Sequence, residues 1–297
     1  MRHIVRFPHN LGQKLKGVEK GAEMYTKHLV KNYPGKFLIK QVDCININNN
    51  DHFFENIRNL YKANQDLGAQ QFRNLYKAGQ DMGSKQFRMN IGGDHSMSLA
   101  TVAYTLNCFP DCKVIWVDAH ADINTYEASE SKNFHGMPLA YLTGLDSHTE
   151  LSFIKNYLPF DRLFYVGLRS LDYFEKELIY KHNIKYFLSQ DINANPMGCY
   201  NILNKFLGDS PFHLSLDVDS FDPSVIPHTG TPVGYGINKS PGILLLHNLM
   251  KKKTLCNMDL TEINPHVNNR HLDDEKLKYS VNNMFFTIDD IIKPIIN

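Results

Sequence analysis

The stretch WVDAHAD, residues 116–122, sets Asp118, His120 and Asp122 on alternate positions directly behind the apolar run Val114, Ile115, Trp116 and Val117. In an extended backbone successive side chains point to opposite faces, so these three would share one side. Two carboxylates and an imidazole crowded together repel and resist desolvation unless a positive charge sits between them. A metal ion meets that need. DVD places Asp217 and Asp219 in the same alternation behind a second apolar run, and His95 closes GGDHS, where Gly92 and Gly93 permit a tight turn off a strand. Taken singly, each motif has a plainer reading: a solvated, capped loop for DAHAD, and turn chemistry for Asp222 in SFDP. Together, four aspartates and two histidines exceed what one ion needs and match two divalent cations if some carboxylates bridge. Oxygen-rich ligation with imidazole and no thiolate points to Mn(II), with Fe(II), Co(II) and zinc as alternatives. The chemistry expected of such a pair is hydrolysis, because the metals acidify a bridging water to hydroxide near neutral pH.

Five short apolar runs must position these groups. FRMNI precedes GGDHS, KVIWV precedes DAHAD, FHLSL precedes DVDSFDP, CNM precedes DLTEINP, and RLFYVGL precedes RSLDYFE. Runs of this length and composition that end in acidic or glycine-containing segments read as buried parallel strands. Between them, SMSLATVAYTLNCF and SPGILLLHNLMKK have helical length and periodicity. The expectation is an α/β fold of three layers, α/β/α, with a mainly parallel central sheet and a binuclear metal site at the carboxyl ends of the strands. Nothing reads as a linker, so one domain over residues 1–297 is expected. One feature stands outside this pattern: RNLYKANQDLGAQQF, 58–72, is followed at once by RNLYKAGQDMGSKQF, 73–87. Two copies are too few for a solenoid. A helical insertion is expected, either a lengthened surface helix or a hairpin broken near Gly79 or Gly83, with an added oligomer contact as the sharper alternative.

The bulk numbers exclude several classes. Over 297 residues the net charge is +1 and 42% of residues are apolar, which fits neither a nucleic-acid footprint nor disorder. No apolar run is long enough to cross a membrane, and MRHIVRFPHN lacks the apolar core of a signal peptide, so a cytoplasmic protein with no membrane partner is expected. The five cysteines are scattered and odd in number. They read as free thiols, including the closely spaced Cys108 and Cys112, since no second Cys/His pair completes a zinc site.

GGDHS, DAHADINT, NFHGMP, SLDVDSFDPSVIPHTGTP and EINP together resemble the ureohydrolase family, and within it the arginases. The resemblance runs from GVEKGA near residue 17 almost to the C-terminus, interrupted mainly by the repeat. It implies that one Mn(II) is held by His95, Asp118, Asp122 and Asp217, and the other by Asp118, His120, Asp217 and Asp219. By the same resemblance, hydroxide between the metals attacks a guanidinium carbon, releasing urea and an amine. Asp122 would steer the hydroxide and carry its proton to the leaving nitrogen. Glu262 would pair with the substrate guanidinium, a planar cation best fixed by a carboxylate. His135 would shuttle protons, work suited to an imidazole titrating near neutrality. Thr231 matches a hydroxyl near the guanidinium. Family members form trimers or hexamers, so a homo-oligomer is implied.

The metal core is shared with hydrolases of agmatine and other guanidino compounds, so the substrate must be read at its far end. The resemblance gives Asn124 and Ser131 to the α-carboxylate of L-arginine, with Asn133 and Ser129 reaching it through water. It gives Asp172 and Glu175 to the α-ammonium. The spacing from Asp122 to His135 in DINTYEASESKNFHG is arginase-like and favours L-arginine over agmatine. Arginases usually carry Gly between the Ser and the Asn, whereas here Lys132 stands there, a cation that would strengthen attraction of the carboxylate or distort the loop if the backbone needs positive φ, with activity kept and KM altered. The reading from a different class, a metal-stabilised scaffold without activity, gives no reason for the ligands, His135 and Glu262 to occur together.

Overall fold

A computed structural model describes residues 2–44, 50–78, 87–267 and 273–297, without the side chains of 50, 51 and 67–78. Eight strands form one sheet in the order β2-β1-β3-β8-β7-β4-β5-β6. They are β1 (Arg2–Phe7), β2 (Phe37–Gln41), β3 (Arg88–Gly92), β4 (Lys113–Val117), β5 (Leu163–Leu168), β6 (Lys185–Leu188), β7 (Phe212–Asp217) and β8 (Leu255–Thr261). Every paired neighbour runs parallel. All residues of β3, β5 and β7 are buried, as strands covered on both faces must be.

Alternation along each strand feeds two cores. Ile115 and Val117 face one side with Leu214, Leu216, Met258 and Leu260, beneath α1 (Val18–Asn32), α6 (Ser189–Ala194), α7 (Pro196–Leu207), α8 (Lys239–Met250), α9 (Asp274–Ile291) and α10 (Lys293–Ile296). Val114 and Trp116 face the other side, beneath α2 (Asn50–Ala78), α3 (Ser98–Cys108), α4 (Pro138–Thr143) and α5 (Tyr173–Lys181). This is the three-layer α/β/α arrangement expected from the alternating pattern. Among the described residues no helix is long and apolar enough to cross a membrane.

The first repeat copy lies within α2, which continues without a break through the junction into the second. Ile57, Leu60 and Tyr61 bury one face of α2, with the Tyr61 ring 4.5 Å from that of Phe153 and 6.1 Å from that of Tyr104. The proposed breaks at Gly79 and Gly83 lie outside the described residues.

Register brings the chemistry together. Val117 pairs with Leu216, so Asp118 and Asp217 leave adjacent strands side by side. Asp217 pairs with Thr261, which places Glu262 just beyond, and Ile91 pairs with Leu260, which brings in the loop carrying His95. Gly93 is required here: a Cβ on it would lie 1.6 Å from the carbonyl oxygen of His9.

Candidate metal centre

The alternate spacing of DAHAD acts differently from the extended backbone expected for it. β4 ends at Val117, and the chain then bends, with the His120 N–H donating to Asp118 Oδ1 at 2.7 Å. The Asp219 N–H likewise donates to Asp217 Oδ1 at 2.8 Å. A short aspartate closes a local turn on the backbone two residues ahead, and that turn, not a pleat, swings both side chains of each pair to one side. Asp122 takes a left-handed φ of 52°, which an Asp adopts more readily than most residues, and so reaches the same centre.

His95 Nδ1 lies 2.9 Å from Asp118 Oδ2, 3.0 Å from Asp122 Oδ2 and 3.2 Å from Asp217 Oδ2. None of these contacts has hydrogen-bond direction, so Nδ1 is buried and unpaired while three carboxylate oxygens surround it. The opposite ring nitrogen, Nε2, is 2.8 Å from Ser215 Oγ. With the ring proton at Nε2, Nδ1 presents a lone pair to the three oxygens, the arrangement of a metal-binding imidazole. A second group adjoins it: His120 Nδ1 is 3.1 Å from Asp219 Oδ2 and 3.5 Å from Asp118 Oδ1. Asp118 belongs to both groups, one oxygen towards each histidine. The donor set of carboxylate oxygens and imidazole nitrogens fits two divalent ions.

The electrostatics point the same way. Burial, then the neighbouring Asp118 charge, pushes the Asp122 carboxyl up to about 7. Asp217 is driven well above the carboxylate range by burial and by Asp219 and Asp118. Burial would raise Asp118 too, yet His120 and His95 hold it well below the usual range. Against the cost of burial, Asp219 and Asp118 lift His120 up to about 12. Carboxylates and imidazoles set against one another in this way form a site organised around positive charge.

Glu262 flanks the first group. It has a φ of 63°, held by its N–H donating to the Gly93 carbonyl at 2.8 Å. Its Oε1 accepts the His95 backbone N–H at 2.9 Å and lies 3.1 Å from His135 Nδ1. Burial opposes protonation of His135, but the contact with Glu262 raises it to about 9. Thr231 Oγ1 donates to Asp219 Oδ2 at 3.0 Å, so it stands at the His/Asp cluster.

The loop expected to read the far end of a substrate closes between Asn124 and His135, with the Asn124 N–H donating to the Gly136 carbonyl at 3.1 Å. Ser129 and Ser131 hydroxyls are 3.4 Å apart, and the Asn133 N–H donates to Ser131 Oγ. Asn124 Nδ2 donates to Asp172 Oδ2, which joins this loop to the turn after β5. Asp172 and Glu175 form a capping box at the start of α5, each side chain accepting the other's backbone N–H. Glu175 is 6% exposed, and burial raises it to about 8. Lys132 does have positive φ, 58°. Its Nζ turns back along the loop to the carbonyls of Tyr126 at 2.7 Å and Glu127 at 3.0 Å.

Four participants escaped the reading of the sequence. Trp116 Nε1 donates to Asp118 Oδ2 at 3.1 Å while its ring stacks on His95 at 4.2 Å. Ser215 orients His95; a lone hydroxyl two residues before Asp217, on the same face of a buried strand, was the available signal. The Arg169 guanidinium donates to the carbonyls of Gly167, Asp219, Ser220 and Val233, among others, and so pins the loop that carries Asp219 and Thr231. Gln13 donates its amide to both oxygens of Glu262, at 3.0 and 2.8 Å, from a loop with no local motif.

Fold and donor set define the class: a parallel α/β protein with a paired His/Asp cluster suited to metal ions at the strand ends. The chain belongs to the Arginase family, whose profile matches residues 3–280. It is 40% identical over 189 residues to an arginase of Coccidioides posadasii, covering 60% of this chain and 59% of that protein. It is 34% identical over 282 residues to the mitochondrial arginase-2 of Rattus norvegicus, covering 89% and 77%. Several of the curated relatives are matched over only 53% to 65% of their own length. Among solved structures, Entamoeba histolytica arginase in complex with L-ornithine superposes with a TM-score of 0.81 at 28% identity, covering 97% of this chain and 96% of that one.

Proposed function

We propose that this chain hydrolyses L-arginine to L-ornithine and urea, with two Mn(II) ions per subunit, as a single catalytic domain in a cytoplasmic homo-oligomer, a trimer or hexamer. The observation that carries the reading is the convergence on Glu262: a buried carboxylate for a planar cation stands against His95 of the metal cluster and His135 on the other side. His95, Asp118, Asp122 and Asp217 would hold one ion, and Asp118, His120, Asp217 and Asp219 the other. When bound, the pair supplies a hydroxide nucleophile near neutral pH and shields it with positive charge.

The chain's own residues do the rest. Glu262 fixes the guanidinium in one plane against the cluster. Asp122, whose Oδ2 lies 3.0 Å from His95 Nδ1 at the centre of the cluster, takes the nucleophile's proton and gives it to the leaving nitrogen. His135 exchanges a proton at the outer edge, where 17% of its side chain meets solvent. Thr231 holds Asp219 by its hydroxyl. Asn124, Ser131 and Asn133 meet the substrate carboxylate, Ser129 supports Ser131, and Asp172 accepts the ammonium while Glu175 fixes its turn. The likeness to an arginase structure holding L-ornithine supports an amino acid of this kind as the ligand.

The test is urea release from L-arginine and from agmatine, with added Mn(II) and with a chelated sample alongside. Metal-dependent urea from arginine alone agrees with the proposal. Turnover of agmatine alone would retain the metal chemistry and overturn the assignment of Asn124, Ser131 and Asp172. No urea from either would remove the activity.

A further inference from the structure

Gln13 sits in a segment fastened on both sides. The Gly12 N–H donates to Asp94 Oδ2 at 2.9 Å and the Gly12 carbonyl accepts the His135 N–H at 2.9 Å. Further on, the Lys16 carbonyl accepts from Asn264 Nδ2 at 3.1 Å. Between these ties the Gln13 side chain points inward and is 8% exposed.

Its amide orientation is dictated by its neighbour. Both oxygens of a carboxylate accept, so the nitrogen must face Glu262 and the carbonyl Oε1 must face away. Glu262 Oε1 is crowded by His95, His135 and Gln13, whereas Oε2 receives Gln13 alone among the described residues. A Cβ placed on Gly230 would lie 3.2 Å from Gln13 Oε1 and 3.4 Å from Glu262 Oε2. Two acceptor oxygens, one an amide carbonyl and one a carboxylate, therefore flank a single small gap that Gly230 leaves open. Gln13 Oε1 carries no hydrogen bond among the described residues. An amide carbonyl beside a carboxylate suits a planar cation with several N–H donors far better than a point charge.

We propose that Gln13 is a second reader of the substrate guanidinium, holding Glu262 through Nε2 and accepting a guanidinium N–H at Oε1. The proposal rests on the arginine-hydrolase reading. It makes Gln13 a specificity residue for the guanidinium end, separate from the loop that reads the amino-acid end.

The test uses the full-length, manganese-loaded protein and the variant Gln13→Met, which keeps the volume and removes both amide contacts. For L-arginine, KM should rise about tenfold or more, the scale of one hydrogen bond to a charged group, with a smaller change in kcat. Calorimetric binding of guanidinium chloride should weaken by a similar factor, while competitive inhibition by L-ornithine, which has no guanidinium, stays within about twofold. Gly230→Ala supplies a second variant should Gln13→Met fail to fold: its methyl fills the gap between the two oxygens and should give the same selective loss with Gln13 in place. Equal weakening of guanidinium and ornithine, or no weakening of either, would overturn the proposal. Lack of arginine turnover by the unaltered chain would sink the parent reading, and guanidinium binding would still decide the role of Gln13 because it needs no turnover.

Discussion

Lys132 sets two effects against each other that separate variants can resolve. Its φ of 58° costs a residue with a Cβ about 1 to 2 kcal/mol. Glycine escapes that cost but loses about 0.4 to 1 kcal/mol through its freer unfolded chain. Against this stand the contacts of Nζ with the carbonyls of Tyr126 and Glu127, and its position 5.3 Å from the centre of the Tyr126 ring. The side chain is exposed, so these together contribute about 1 kcal/mol. Lys132→Ala keeps the strain and loses the contacts, and should destabilise by about 1 kcal/mol. Lys132→Gly loses the contacts and the strain together, and should stay within about 0.5 kcal/mol of the parent. In thermal unfolding the Ala variant should melt about 2 °C below the Gly variant. Kinetics should divide differently, because both variants free the loop that carries Ser129, Ser131 and Asn133. KM for L-arginine should rise about three- to fivefold in each, with kcat within about twofold. An Ala variant as stable as the Gly variant would refute the strain argument, and an unchanged KM in both would remove Lys132 from substrate binding.

Other expectations follow from groups around the centre. Glu175 has a folded pKa of about 8 against an ordinary value of 4.5, raised by burial, so between those values the folded state binds more protons than the unfolded one. Its contribution therefore weakens stability as pH rises through that window, by on the order of 1.4 kcal/mol per pH unit, and denaturant unfolding of Glu175→Gln should show a flatter profile from pH 5 to 8. Asp259 is fully buried, and though burial would raise it, His213, Thr101 and Ser98 hold it below the usual carboxylate range. Its His213 contact is 3.0 Å, and Asn90 donates to its other oxygen at 2.7 Å. Asp259→Ala should cost about 3 to 5 kcal/mol in urea unfolding, and a loss under 1 kcal/mol would show that the network is slack. Ser215→Ala removes the hydroxyl partner of His95 Nε2, so calorimetric Mn(II) affinity should fall about tenfold while the metal-free protein loses about 1 to 3 kcal/mol of stability.

Five strands of the sheet could be read from the chain, while β1 and the two edge strands could not. β3, β4, β5, β7 and β8 are apolar because other layers cover both faces, so they stand out as runs. β2 and β6 lie at the edges, carry Lys40 and Lys185 and have no buried residue, and β1 beside β2 is only half buried with Arg2 and Arg6 in it, so all three merge with their surroundings. At the site, the acidic motifs were visible because paired carboxylates behind a buried strand have few other uses. The local geometry behind them was not, since an aspartate-closed turn and a pleated strand share the same i, i+2 spacing. Gln13 and Arg169 reach the site from loops distant in sequence, 249 residues separating Gln13 from Glu262, and only the fold reveals such contacts.

The most direct test of the paired centre is titration of metal-depleted protein with Mn(II), followed by electron paramagnetic resonance. With Asp118 turning one oxygen to each histidine, two ions should bind per chain, and the second should replace the signal of an isolated ion with that of an exchange-coupled pair. Saturation at one ion, or two ions that stay magnetically independent, would contradict the shared Asp118 and with it the centre on which the proposed hydrolysis depends.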